Sequence, residues 1–373
     1  MANVLVTGGA GFIGSHLVDG LLAAGHQVRV VDALVGQVHG EVERPAHLAI
    51  DAELIHADVA DTERWAHLLD RTDVLYHLAA EVGVGQSMYE IRRYTRGNTM
   101  ATADLLETLI GRRGNVRKLI VASSMSIYGE GPYQCAENGR VYPTLRPEAQ
   151  LKMRDWELHC PACSQPVSPL PTDEAKPLAP TSIYAINKRD QEEMCLAIGN
   201  AYGIPTVALR FFNVYGPRQA LSNPYTGVAA IFGSRLLNRR PPVIFEDGLQ
   251  TRDFVHVSDI VQALMLAMEK PEADYGVFNV GTGRRLSVRD VAEHLAGAMG
   301  LSIEPEITGQ FRAGDIRHCY ADITKIQSAL GFIPRVRFED GVRELVEWVA
   351  KQSDVNDGVD VARAQLERLG LAG

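Results

Sequence analysis

The run Val4-Leu-Val-Thr-Gly-Gly-Ala-Gly-Phe-Ile-Gly14 constrains the fold more than any other stretch of the chain. Val4 to Val6 read as a short buried strand, and Ile13, Leu17 and Leu21 recur at helical spacing up to Ala24. Between them Gly8, Gly11 and Gly14 permit a tight turn, a close approach of backbone to a pyrophosphate, and close packing of helix on strand. Phe12 and Ile13 are expected beside the cofactor, and the helix amino terminus with its free N–H groups faces the phosphates.

A second strand, Gln27 to Val31, ends at Asp32. An acid there accepts hydrogen bonds from an adenosine ribose and repels a 2′-phosphate, which points to NAD rather than NADP. Arg29 lies inside that strand and is not read as a phosphate clamp. Further strands are expected at Leu54–Ala57, Val74–Leu78, Leu119–Ser123 and Thr206–Arg210, alternating with helices at Thr62–Leu69, Asn98–Arg112 and Ser182–Tyr202. Alternation of this kind predicts an α/β fold, a doubly wound parallel (Rossmann) sheet with ligands outside the carboxyl ends of its strands. Asp32, Asp58, Ala79-Ala80 and Ser123-Ser124 all fall at such ends.

After about Gly216 the pattern shifts to helices (Val228–Asn238, Ser258–Met268, Val288–Ala298, Phe338–Ala350) mixed with short strands near Val243–Phe245, Arg252–His256, Val277–Val280 and Glu304–Ile307. The division expected is a cofactor domain over 1–216, with an insertion at 131–176, and a smaller mixed α/β lobe over 217–373. Some strands of that lobe are expected to return to the main sheet. Ser353–Gly373 reads as a loosely held helix. At 373 residues and a net charge of −9, without a basic cluster, the chain is a poor partner for nucleic acid or an anionic membrane. No apolar run approaches the ~20 residues needed to span a bilayer, and the chain opens directly on strand and glycine loop, so a cytoplasmic location is expected.

Tyr184 and Lys188 stand one helical turn apart on one face. A free tyrosine titrates near about 10. A cation 4 Å away favours the phenolate by roughly 4 kcal/mol at an effective dielectric of about 20, so Tyr184 is expected to serve as a general base.

Thr7-Gly-Gly-Ala-Gly-Phe-Ile-Gly14, His77-Leu-Ala-Ala80, Ser123-Ser124, Tyr184-Ala-Ile-Asn-Lys188 and Arg210-Phe-Phe-Asn-Val-Tyr-Gly-Pro-Arg218 together resemble the extended short-chain dehydrogenase/reductase family. The branch they resemble is the NAD-dependent nucleotide-sugar epimerases and dehydratases. The resemblance runs from Val4 to about Trp348, apart from the insertion. It implies that Ser124 holds a sugar hydroxyl, Tyr184 exchanges its proton, and Lys188 binds the nicotinamide ribose and tunes Tyr184. It further implies that Asp58 and Val59 flank the adenine, that Leu78, Ala79, Ala80 and Ser123 line the cofactor, and that Asn98 anchors the helix behind it. The nucleotide diphosphate of the substrate is implied to meet Asn213, Arg252, Arg312 and Asp315. Pairing of two chains through the helices at Asn98–Arg112 and Ser182–Tyr202 is also implied. Leu105, Leu109, Met194 and Ile198 would permit that pairing or serve internal packing.

Members that remove water or carbon dioxide carry an acid two positions before the tyrosine of a Tyr-Gly pair. Here Ser123-Ser-Met-Ser-Ile-Tyr-Gly129 puts Ser126 at that place and Met125 before it, and neither is a carboxylic acid. The resemblance therefore implies a 4-epimerase working through a transient 4-keto sugar, with NAD retained and Ser126 facing the substrate. A 4-keto reductase or dehydrogenase, and a non-catalytic NAD-binding protein, stay open as alternatives. The insertion and Gln219-Ala-Leu-Ser-Asn-Pro-Tyr-Thr-Gly227 resemble the dTDP-L-rhamnose 4-epimerase group, which implies a dTDP-6-deoxyhexose. UDP-hexose, UDP-uronate and GDP-sugar substrates stay open beside it.

The insertion carries Cys135 and Cys160-Pro-Ala-Cys163, the turn spacing of a zinc knuckle. Three thiolates around structural zinc and a proline-stiffened loop with free thiols are both consistent with it. His159 is awkwardly placed as a fourth ligand, and Asn138 is a poor one. His77 reads as packed beside the cofactor loop, His256 as fixing a strand-to-helix turn and Cys195 as core. Nothing is read into Cys319.

Overall fold

The chain is described from a computed structural model covering residues 1–112, 114–225, 227–352 and 357–373. Seven strands form the central sheet: β1 (Asn3–Thr7), β2 (Gln27–Asp32), β3 (Glu53–His56), β4 (Val74–His77), β5 (Lys118–Ser124), β6 (Thr206–Phe211) and β7 (Val277–Val280). Their order is β7-β6-β5-β4-β1-β2-β3, and every pairing is parallel. The Rossmann α/β architecture expected from the alternation is the one observed. β7, from beyond residue 217, returns to the sheet edge beside β6, as Val277↔Ala208 to Val280↔Phe211.

Both faces of the sheet are buried, which is why its strands read as continuous apolar runs. The two-residue period of β1 divides its side chains. Val4 and Val6 join a core with Leu17, Leu21, Ile260 and Leu264, from the helices α1 (Phe12–Ala23) and Val257–Glu269. Leu5 faces the opposite core with Leu105, Leu109 and Cys195, from the helices α2 (Ala101–Arg112) and α3 (Ile183–Tyr202). Leu105 and Leu109 are thus internal packing, while Met194 and Ile198 lie part-buried at the edge of that core. A separate core gathers Tyr215, from the strand Asn213–Tyr215, with Phe232, Leu295, Phe338 and Leu345 from helices after residue 227.

Three expected elements are interrupted. The strand expected over Arg252–His256 breaks into Thr251–Arg252 and Phe254–His256. Asp253 turns inward between them and accepts from Thr282 N, Thr282 Oγ1, Gly283 N and Ala321 N at 2.7–3.2 Å. The helix expected from Thr62 tightens to a 3-10 turn after Trp65. The helix expected from Asn98 is regular only from Ala101, because Arg96–Met100 is a π-turn. Val359–Arg368 is helical, whereas 353–356 and Thr226 lie outside the described residues. Among the described residues no helix is long and apolar enough to cross a membrane.

Candidate active site

A cavity of about 480 Å³ runs along the carboxyl ends of β1, β2, β4, β5 and β6. The glycine loop forms one end. Gly8 has φ +71°, and a Cβ there would stand 2.7 Å from the Ala79 backbone; one on Gly14 would stand 2.2 Å from the Gly8 carbonyl oxygen. Side chains are therefore excluded where the loop must stay tight, and the first turn of α1 opens onto the cavity. Phe12, Ile13, Asp32, Asp58, Val59, Leu78, Ala79 and Ala80 line the same volume. Asp32 braces the loop as well, accepting from Ala10 N and Leu34 N at 3.0 Å each. Arg29 turns away, to Glu53 at 3.3 Å. Asn98 is buried and reaches the cavity only through its neighbour: its side chain accepts from Glu81 N at 2.7 Å and donates to Glu81 O at 3.1 Å, fixing the turn after Ala80. A tight glycine loop, a helix terminus and a strand-end carboxylate fit a dinucleotide.

The other end of the cavity holds Ser124, Ser126, Tyr184 and Lys188. Local sequence puts them there. Ser124 ends β5 and caps the following 3-10 turn, accepting from Ser126 N at 3.1 Å. Ser182 caps α3 by accepting from Ala185 N at 3.1 Å, which sets Tyr184 in the first turn and Lys188 in the second. Ser126 Oγ donates to Ser124 Oγ at 2.9 Å, and the Ser124 hydroxyl stands close enough to Tyr184 to pull its phenol down. Three hydroxyls thus gather at this end of the cavity. Ser123 lines the cavity too, but its hydroxyl donates to Glu192 behind the wall, at 2.5 Å.

The lysine does not act on Tyr184 as expected. Burial holds the phenol above its ordinary value, with only the Ser124 hydrogen bond pulling the other way. Lys188 points its ammonium at Gln191 Oε1, 2.9 Å away, and burial lowers it to about 8. Burial is the larger influence on Tyr184, and Lys188 is not among the groups that shift it. Behind Lys188, Gln191 donates to Thr102 Oγ1 at 2.9 Å, and His77 lies 2.9 Å from Thr102 Oγ1 and 2.8 Å from Thr7 Oγ1. Burial, then Lys188, drives His77 down to about 3, so it is a neutral packing residue.

Asn213 lines the cavity with its side-chain oxygen buried and without a protein partner, as does Gln219. Arg252, Arg312 and Asp315 are not brought to the cavity wall. Arg252 donates to the carbonyls of Thr251, Ile316 and Arg317 at 2.7–3.0 Å. Arg312 pairs with Asp315 at 2.8 Å and lies over the Phe245 ring. The sequence reading missed Glu81 and Arg93, which line the cavity as an ion pair at 2.8 Å. Glu81 follows the strand-end Ala79-Ala80 directly, and that position was the available signal.

Outside the cavity, His256 sits at the strand-to-helix turn, 2.8 Å from Ser258 Oγ, and Cys195 is core. Cys135, Cys160 and Cys163 come together in the insertion, away from the cavity.

Residues 4–149 and 161–281 match the NAD dependent epimerase/dehydratase family. The chain belongs to that family. It is 36% identical over 354 residues to the dTDP-L-rhamnose 4-epimerase of Burkholderia thailandensis, covering 94% of this chain and 96% of that one. It is 35% identical over 355 residues to the UDP-glucose 4-epimerase of Mycolicibacterium smegmatis, covering 94% and 99%. The solved UDP-glucose 4-epimerase of Thermotoga maritima with UDP-glucose superposes with a TM-score of 0.76 at 34% identity, covering 94% and 99%. This family member is an NAD-dependent epimerase and therefore an isomerase. The family match stops at 149 and resumes at 161, inside the insertion.

Proposed function

We propose that the protein is a nucleotide-sugar 4-epimerase that interconverts dTDP-L-rhamnose and its C4 epimer. The observation that carries the reaction is the gathering of the Ser126, Ser124 and Tyr184 hydroxyls in one cavity with Lys188 and the glycine loop. Bound NAD supplies a reversible hydride acceptor. Ser124 orients the C4 hydroxyl, and Tyr184 takes its proton and returns it on the opposite face of the turned 4-keto sugar. Tyr184, raised by burial, is a stronger base once ionised and holds its proton firmly between the two half-reactions. Ser126 supplies a hydroxyl where water-removing members place an acid, so a proton at C5 or C6 has no carboxyl partner there.

A 6-deoxyhexose suits the chemistry of the walls. Val82, Met125, Phe211 and Phe212 give apolar surface in the same cavity as these hydroxyls. Among the described lining residues, Lys188 is engaged by Gln191 and Arg93 by Glu81 and Glu90. A uronate carboxylate would compete for cations already paired. The buried unpaired oxygens of Asn213 and Gln219 are proposed to accept hydrogen bonds from donors on the sugar nucleotide, whereas Arg252, Arg312 and Asp315 would have to leave the carbonyls and the ion pair that hold them to reach its diphosphate. Residues 1–216 then carry the cofactor and 217–373 the sugar nucleotide. Two copies would pair through outer faces of α2 and α3, where Ile186 and, in the turn just before α2, Met100 are exposed.

Proton NMR of a panel of dTDP-, UDP- and GDP-sugars, incubated with protein and no added cofactor, tests the reading. Conversion of dTDP-L-rhamnose ahead of the others is expected. Turnover that needs stoichiometric NADH or NADPH overturns the epimerase, and preferential conversion of a UDP-sugar overturns the substrate alone.

A further inference from the structure

The insertion folds as a small antiparallel sheet. Tyr133–Cys135 pairs with Gly139–Val141 on one side and with Ser168–Pro169 on the other. Cys135 starts the first turn, which closes at Gly139 with φ +66°. The N–H groups of Glu137 and Asn138 point back at the Cys135 sulfur. A second turn repeats the form. Ser164, with φ +59°, donates its N–H to Cys160 O at 2.8 Å, Cys160 N donates to Gln165 O at 2.8 Å, and Gln165 N–H points at the Cys163 sulfur. Two such loops thus each turn backbone N–H groups toward a cysteine sulfur.

The sulfurs converge. Cys135 and Cys163 are 3.6 Å apart, and all three ligand atoms lie within 4.8 Å of one another. Ligands about 2.3 Å from a tetrahedral zinc are about 3.8 Å from each other. A disulfide needs about 2.0 Å, and all five cysteines of the chain are free. Cys135 and Cys160 are buried, and the apolar cluster around them is small, with Tyr133, Val141 and Leu158 its other buried members. So small a core needs a further cross-link to hold its shape.

We propose that Cys135, Cys160 and Cys163 bind one zinc ion that staples the insertion. Asn138 donates its side-chain N–H to Cys135 Sγ at 3.6 Å and to Cys160 Sγ at 3.5 Å, and a solvent ligand completes the zinc's shell. His159 is turned away to Asp155 at 2.9 Å. Thiolates select soft or borderline ions, and the lack of a fourth cysteine argues against an iron–sulfur cluster. None of the three cysteines lines the cavity, so the ion is structural. It fixes the frame from which Arg146 and Glu157 reach Glu246 and Arg317.

Elemental analysis of protein purified without chelator or histidine tag, from zinc-supplemented cells, tests the site. About one zinc per chain is expected, lost in Cys135→Ser and in Cys163→Ser. Cobalt exchanged into the wild type should give a near-ultraviolet thiolate-to-metal band, absent from both variants. Chelation should lower the melting temperature by several degrees and expose three further thiols to a thiol reagent. Zinc-free wild type without a cobalt band, iron in place of zinc, a disulfide detected by mass, or zinc retained in Cys163→Ser overturns the proposal. The wild-type measurements decide it even if a variant fails to fold.

Discussion

The floor of the cavity and the insertion are held by opposite means. Under the cavity lies a parallel sheet buried on both faces, with neutral polar groups (His77, Thr102, Gln191) filling the space behind Lys188. The insertion is clamped by charge. Arg146 forks onto Glu246 at 2.8 Å through both terminal nitrogens, and the fully buried Arg317 meets Glu157, Asp247 and Glu246 at 2.6–3.0 Å. Glu130 accepts from Arg317 N and His318 N at 2.7 Å each and from Tyr133 Oη at 2.6 Å. Hydrophobic burial is non-directional and tolerant, whereas a buried charge fails sharply when it loses one partner. Chemistry should therefore be separable from stability on the floor, and the insertion should respond to charge, acid and metal.

The largest expected effect is on the floor. Tyr184→Phe should lower turnover by about 10⁴-fold with little change in melting temperature, because the ring stays packed and only the proton carrier is lost. Steady-state rates beside a melting curve check this, and a rate near wild type would remove Tyr184 from the reaction. Next comes the clamp. Arg317→Met should cost about 3–5 kcal/mol in urea unfolding, since Asp247 loses its cation and the buried Glu246 keeps only Arg146. A loss below about 1 kcal/mol would mean that these groups pair with water instead.

Acid sharpens the contrast. Glu157 is held at about 2 by the His318 hydrogen bond and by Arg317, against burial that raises it. Its folded value lies below its unfolded one, so its contribution is complete above about pH 4.5 and fades as pH falls toward 2. Emission from the adjacent Trp156 should change over that window, and Glu157→Gln should flatten the change. The smallest effect concerns Lys188. Gln191→Leu removes the acceptor of its ammonium, which favours the neutral amine, so the alkaline limb of the rate profile should move down by about one pH unit. An unmoved limb would show that Gln191 only fills space.

The same contrast explains what could be read in advance. The floor is built from local patterns. Glycine spacing, strand ends and the Tyr184–Lys188 turn are short-range, and the cavity gathers Gly8, Asp32, Ser124, Tyr184 and Lys188 where strand polarity puts them. The insertion is built from partners 100 residues apart (Arg146 and Glu246) and 160 apart (Glu157 and Arg317), and no periodicity links such pairs. Arg252 and Arg312 were expected at the diphosphate because guanidinium suits phosphate, but spacing does not reveal which carbonyls and carboxylates already hold them. Tyr184 itself marks the limit of reading by distance along a helix. Its neighbour's charge was legible, and the depth of the site, which dominates, was not.

The central claim is a reversible oxidation at C4 that leaves no net redox change, and deuterium at C4 of dTDP-L-rhamnose tests it most directly. Proton NMR after equilibration without added reductant should show both epimers with the label still at C4. Washout of the label to solvent, or no epimer until reduced cofactor is supplied, would contradict the account.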